Sequence, residues 1–174
     1  MKNSFARLAH LSLMLALLAP LAGCNPKYNW RDVHAKDTSF TILMPDKPVS
    51  VTRKVNLDTQ QVDMTMTAAQ VDGVSFAVGV AELSDEKSAV AALTAMKQAM
   101  LHNINGTITT ESAASNANAT DLEATGTPAG GSSLLLLAHF EARGKRVYQA
   151  IVLGKADAVP REEAKTFLAS FKAN

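Results

Sequence analysis

Between Phe40 and Val80, apolar residues fall on alternate positions in four successive runs, and a period of two confines such a segment to strands packed against a core. Phe40, Ile42 and Met44 make the first run, which Pro45 ends. Val49, Val51, Arg53 and Val55 alternate after Pro48, and Val62, Met64, Met66 and Ala68 follow. Phe76, Val78 and Val80 form the fourth run, reached through Asp72-Gly73, a dipeptide that accepts the positive φ angles of a two-residue hairpin turn. Strands joined this closely pair antiparallel, because parallel neighbours need a crossover of a dozen residues or more.

The period then changes. Ser84 or Asp85 offers an N-cap, Ala89, Leu93, Met96, Met100 and Ile104 recur every three or four residues, and Asn105-Gly106 supplies a stop. These signals predict one amphipathic helix of about five turns. Thr107 to Gly131 is rich in Ser, Ala, Asn and Thr, and its β-branched start and Leu122-Glu123-Ala124 predict two modest strands. Leu134 to Phe140 is continuously apolar, Arg143-Gly144-Lys145 turns the chain, and Val147 to Leu153 runs back. Apolar residues on both faces of that hairpin imply a central position covered on each side. Asp157 or Val159 precedes Pro160 at a final helix start, with Ala164, Phe167, Leu168 and Phe171 as its apolar stripe. The order of elements predicts an α+β fold: a mainly antiparallel sheet with helices packed on it, as a single domain over 38–174.

Nothing in that domain depends on a disulfide, since the chain has one cysteine. A chain of this length buries roughly 70% of its unfolded surface and needs no bridge. The lone cysteine belongs instead to the start of the sequence. Lys2 and Arg7 form a charged head, and Leu8 to Leu21 is apolar apart from His10, Ser12 and Pro20, too short for a membrane span of about 20 residues. Leu21-Ala22-Gly23-Cys24 then resembles the lipobox of bacterial lipoproteins. The resemblance implies a signal peptide over 1–23, a diacylglyceryl group on the Cys24 sulfur, and an acylated amine, with palmitate among the chains. Membrane lipid, held through acylated Cys24, is thus the first expected partner. Two or more acyl chains anchor stably where one holds marginally. Asn25 stands where inner-membrane retention signals in enteric bacteria favour aspartate, which implies a cell-envelope location at the outer membrane, facing the periplasm.

Residues 24–37 have no apolar period and read as lipidated N-terminus and tether. Tyr28 and Trp30 in it have two readings: interfacial anchors, or side chains packed on the domain. Packing is preferred for Trp30, because large aromatics are mostly buried.

Three segments of the domain carry a second resemblance. Phe40-x-Ile42-x-Met44-Pro45-x-x-Pro48, Arg146-Val147-Tyr148 and Phe167-Leu168-Ala169-Ser170-Phe171 resemble the PsbP-like superfamily and bacterial envelope proteins that share its pattern, although Met44 stands where the bacterial pattern often has an aromatic. The resemblance implies an α/β/α sandwich with a mainly antiparallel sheet. It also implies accessory binding roles, since its members include an extrinsic photosystem II subunit and a nuclear Ran-binding protein. It transfers no functional residue.

Residues 1–23 hold Lys2 and Arg7 and no acids, which leaves 15 basic and 16 acidic side chains in the remainder. That balance gives no reason to expect a nucleic-acid partner. Metal binding needs clustered ligands, yet His34, His102 and His139 are widely spaced in sequence and no cofactor is expected. Met64 and Met66 share one face of a strand, where soft thioethers suit Cu(I), but methionine is also a common core filler. Gly73-Val74-Ser75-Phe76-Ala77 echoes a nucleophile elbow without its strand-to-helix turn, so Ser75 reads as an ordinary strand serine. Asp85-Glu86 and Glu162-Glu163 sit in first turns of helices, where negative charge complements the dipole. Gly130-Gly131 lacks the setting of a phosphate cradle. Arg143, Lys145 and Arg146 read as a solvated turn, with anionic headgroups as the alternative contact. No catalytic residue is expected. The expected function is a non-enzymatic accessory domain anchored in the envelope and binding another envelope protein, with a periplasmic small-ligand or Cu(I) carrier as the alternative.

Overall fold

The computed structural model describes residues 27–35, 40–114 and 118–174; the expected signal peptide and Cys24 lie outside them. Seven antiparallel strands form the main sheet: β3 (Val49–Leu57), β4 (Gln60–Val71), β5 (Val74–Glu82), β6 (Gly106–Ala113), β7 (Ala119–Gly126), β8 (Leu134–Arg143) and β9 (Arg146–Lys155), in the order β3-β4-β5-β9-β8-β7-β6. The predicted central hairpin is β8 and β9, and β9 is the middle strand. Asp72 and Gly73 carry the β4–β5 turn, both at positive φ as a tight hairpin requires.

Helix α1 (Glu86–Ile104) covers one face of this sheet. Asp85 caps it by accepting a 2.8 Å hydrogen bond from the Ser88 N–H, and three hydrogen bonds to its side chain from Ser88 and Ser84 hold its carboxyl below the usual range. Asn105 ends α1 in the left-handed conformation, returning its N–H to His102 and Leu101. Gly126 lies directly beneath that end, where a Cβ would meet the backbone of Ile104 and Gly106.

The other face carries a second sheet, which the sequence pattern did not announce. β1 (Arg31–Ala35), β2 (Phe40–Met44) and β10 (Lys172–Ala173) pair in the order β1-β2-β10. The first predicted strand is therefore not part of the main sheet: β2 packs across it, burying Phe40, Ile42 and Met44 against Phe76, Val78, Tyr148 and Val152. Residues 31–35, expected to belong to a tether, form β1 instead, paired from Arg31 opposite Met44 to Ala35 opposite Phe40. Only Val33 and Ala35 face inward along it, too few for an apolar period. Residues before β1 also pack on the fold: the Asn29 N–H donates to the Pro45 carbonyl at 2.8 Å, and Tyr28 and Trp30 stack on each other while packing on the same apolar cluster.

Helix α2 (Arg161–Ser170) completes this layer, burying Ala164 and Phe167, with the Phe167 ring edge-on to Phe76 at 5.4 Å. Its C-terminus is stitched to β2 through Ser170 Oγ, which accepts from the Leu43 N–H at 3.0 Å and donates to the Phe167 carbonyl at 2.6 Å. The result is the expected α+β architecture in three layers, with a small sheet as an unexpected part of the third. Among the described residues no helix is long and apolar enough to cross a membrane.

Candidate functional site

α2 is ten residues long, about 15 Å, and lies over β2, β8 and β9. Among the described residues it leaves the same face of β6 and β7 without a layer above it. A groove of about 620 Å³ opens there, walled by Arg161, Glu162, Lys165 and Leu168 of α2 and rimmed by Thr110 and Ser112 of β6.

Strand register lays out its floor in two rows. Ser112, Asp121 and His139 stand opposite one another on β6, β7 and β8, and Thr110, Glu123 and Leu137 form the next row. An irregularity between Ile108 and Thr110 sets this alignment, since without the extra residue β6 would present the opposite side chains to the groove. Phe171, just past α2, closes one end, its ring 5.5 Å from His139 and 5.8 Å from Tyr148.

The charged groups here engage one another. Arg161 grips Glu123 with two parallel hydrogen bonds, of 3.0 and 2.9 Å, which hold the Glu123 carboxyl below and the guanidinium above their ordinary pKa ranges. His139 lies between two carboxylates, with Nδ1 2.8 Å from Asp121 and Nε2 3.4 Å from Glu141. Glu141 is buried at 7% exposure, directly opposite Tyr148, whose hydroxyl is pushed up in pKa chiefly by burial.

Chemically the arrangement does not join a hydroxyl to the imidazole. Ser112 and His139 stand two strands apart, about 10 Å, with the Asp121 carboxylate between them, so the imidazole is not placed to take a proton from that hydroxyl. The paired charges and the apolar strip of Leu137, Leu168 and Phe171 offer both polar and greasy contacts to something laid along the groove.

Of the polar residues weighed for chemistry in sequence, His139 and Glu162 lie in this groove, beside Leu168 and Phe171 of the predicted apolar stripe. His34 is on β1, exposed and 3.2 Å from Asp32, and His102 is exposed on the last turn of α1. Among the described residues no group of three or more His, Cys, Asp or Glu could hold a metal ion. Met64 and Met66 do share a face, on the α1 side; Met64 is part of the apolar core, and the Met66 sulfur accepts a 3.5 Å hydrogen bond from Gln149 Nε2. Ser75 lies in β5 opposite Leu153, an ordinary strand position. Asp85 is the α1 cap, Glu162 and Glu163 occupy the first turn of α2, and Gly130 and Gly131 form a loop. In the β8–β9 turn, Arg143 donates to the Ala173 carbonyl and Arg146 lies 3.3 Å from Glu82. Sequence reasoning passed over Asp121, Glu141, Glu123 and Arg161. One signal was present: His139-x-Glu141 alternates on a strand and so shares a face.

No family model matches the chain, and no curated protein matches it. Among solved structures, the chain is similar to cyanobacterial PsbP (CyanoP) from Synechocystis sp. PCC 6803, with a TM-score of 0.58, 12% sequence identity, and coverage of 91% of this chain and 99% of that one. The fold is PsbP-like, over nearly the whole length of both.

Proposed function

We propose that this chain is a lipid-anchored accessory protein of the bacterial envelope, non-enzymatic, which holds a segment of a partner envelope protein in the groove between α2 and strands β6 to β8. The leader and the lipobox-like Leu21-Ala22-Gly23-Cys24 support the anchor, and Asn25 supports the outer membrane facing the periplasm as its destination. The observation that carries the binding role is the groove itself. Its apolar strip, the Arg161–Glu123 ion pair and the His139 ring held between Asp121 and Glu141 give a docked chain both area and register. A fold like that of CyanoP accords with this reading.

In-cell crosslinking of the native chain, followed by mass spectrometry of the membrane fraction, tests it, with Cys24→Ala and Leu168→Glu as variants. One partner recovered in stoichiometric amount, and lost with either substitution, is the expected result. Recovery of bulk membrane proteins alone, unchanged by both substitutions, would contradict it.

The groove volume supports a second reading, a periplasmic small-ligand carrier, because small-molecule sites span about 300 to 1,000 Å³. Saturable thermal stabilisation of the purified protein by a small molecule, abolished by Leu168→Glu, would favour that reading over the adaptor.

A further inference from the structure

Lys27, the first residue the structure describes, is three residues after Cys24, which has a consequence for how the domain sits if that cysteine carries lipid. Lys27 is already fixed, 2.9 Å from Asp72 at the β4–β5 turn, and Tyr28 and Trp30 are packed on the fold. Three residues span at most about 11 Å even when fully extended. A leash that short does not let the domain hang free of its anchor. It brings one end of the main sheet, the end with the Asp72-Gly73 turn, to the bilayer surface.

That end has the surface for it. Tyr28 and Trp30 stack at 5.9 Å and are half-buried, each offering the remainder of an amphipathic ring to the outside. Val49 stands at the start of β3, paired with Ala68 near the same turn, and at 68% exposure is the most exposed large apolar side chain among the described residues. Lys27 and Lys47 flank them, but Asp72 and Asp46 offset those charges, so the contact would rest on apolar and aromatic groups more than on attraction to anionic lipid. The opposite end is turned away. β5 separates the Asp72-Gly73 turn from the Gly144-Lys145 turn by about 27 Å, so the basic residues Arg143, Lys145 and Arg146 face away from the bilayer.

We infer that Tyr28, Trp30, Val49 and the β4–β5 turn form a bilayer-contact surface, with Trp30 at the headgroup level. This rests on the lipid-anchor reading. The chain has one tryptophan, so its emission reports this surface alone. The lipidated full chain, purified from membranes, is reconstituted into phosphatidylethanolamine/phosphatidylglycerol vesicles with and without brominated acyl chains. Brominated lipid should cut Trp30 emission about twofold, as for a ring lodged at the interface. Emission from Trp30→Phe/Lys145→Trp, at the opposite end, should be unchanged. Chain that floats with the vesicles but shows no quenching at Trp30, or equal quenching at both ends, overturns the inference while the anchor stands. Chain that does not float overturns the anchor reading, and this one with it.

Discussion

Against α1 the main sheet presents Ala77, Gly79, Ala81, Ala124, Ala138 and Ala142 among larger aliphatic residues such as Leu122, Leu136, Val147 and Ile151, whereas against the small sheet and α2 it presents Phe76, Val78, Val80, Tyr148 and Val152, with Ala69 and Ala150 as its small residues. Among the described aromatics only Phe140 lies on the α1 side. Small side chains let a helix settle close, and α1 answers with Ala89 and Ala92 at its contact face. Nineteen residues, about 28 Å, carry it as far as β6. The aromatic side is built differently, from rings packed under a layer of short elements. Its helix is half as long, and the groove lies where that layer ends. The candidate site is thus a product of incomplete cover on one face; the α1 face, among the described residues, holds a smaller pocket of about 220 Å³ where Val90, Leu93, Thr94 and Lys97 of α1 meet β7.

If this contrast is right, the two faces fail differently. Phe167→Ala removes a fully buried ring from between α2 and the sheet and should cost about 3–5 kcal/mol, the largest effect, measured as a fall in denaturant midpoint at constant m-value. On the α1 face the sensitive change is enlargement. Gly126→Ala forces a methyl into the backbone of Ile104 and Gly106, and Ala92→Leu pushes α1 off the sheet; each should cost about 1–3 kcal/mol. Tolerance of both would mean the α1 face is loosely filled and the contrast is wrong.

Smaller effects belong to the groove. Arg161 holds Glu123 below its ordinary pKa, so the pair contributes at pH values above that of an unfolded glutamate, about 4.3, and the contribution fades as pH falls through the lowered folded value. Because the pair is partly exposed, Glu123→Gln should cost no more than about 1 kcal/mol at neutral pH, and the stability curves of variant and parent should converge on acidification. The smallest change is expected at the sheet edge, where Thr52→Ala removes an exposed 2.8 Å contact with Thr65 and should stay within about 0.5 kcal/mol. Thermal melts at several pH values check both.

Sequence reasoning served the two faces unequally as well. Strands β2, β4 and β5, the β8–β9 hairpin and both helices were legible because their apolar residues pack on the core; β3 was legible from its alternation alone, although its Val49 and Val51 turn out exposed rather than buried. β1 was not, since as an edge strand it turns only Val33 and Ala35 inward and its Arg31, Asp32 and His34 read as linker. β10 spans two residues, too short for any period. β6 is nearly all exposed, which is why Thr107 to Gly131 gave so little signal. Whether β2 joins the main sheet or crosses it depends on tertiary packing, which a period of two does not encode. The groove was illegible for the same reason: Asp121 meets His139, and Arg161 meets Glu123, only through the β7–β8 register and the docking of α2.

The proposal that the open face is the working one is tested most directly by placing a photoreactive residue in living cells at Lys165, in the groove, or at Gln98, on the exposed side of α1. A single protein adduct from position 165 that is absent from position 98 is the expected result. Adducts of the same mass and yield from both positions, or from 98 alone, would contradict it.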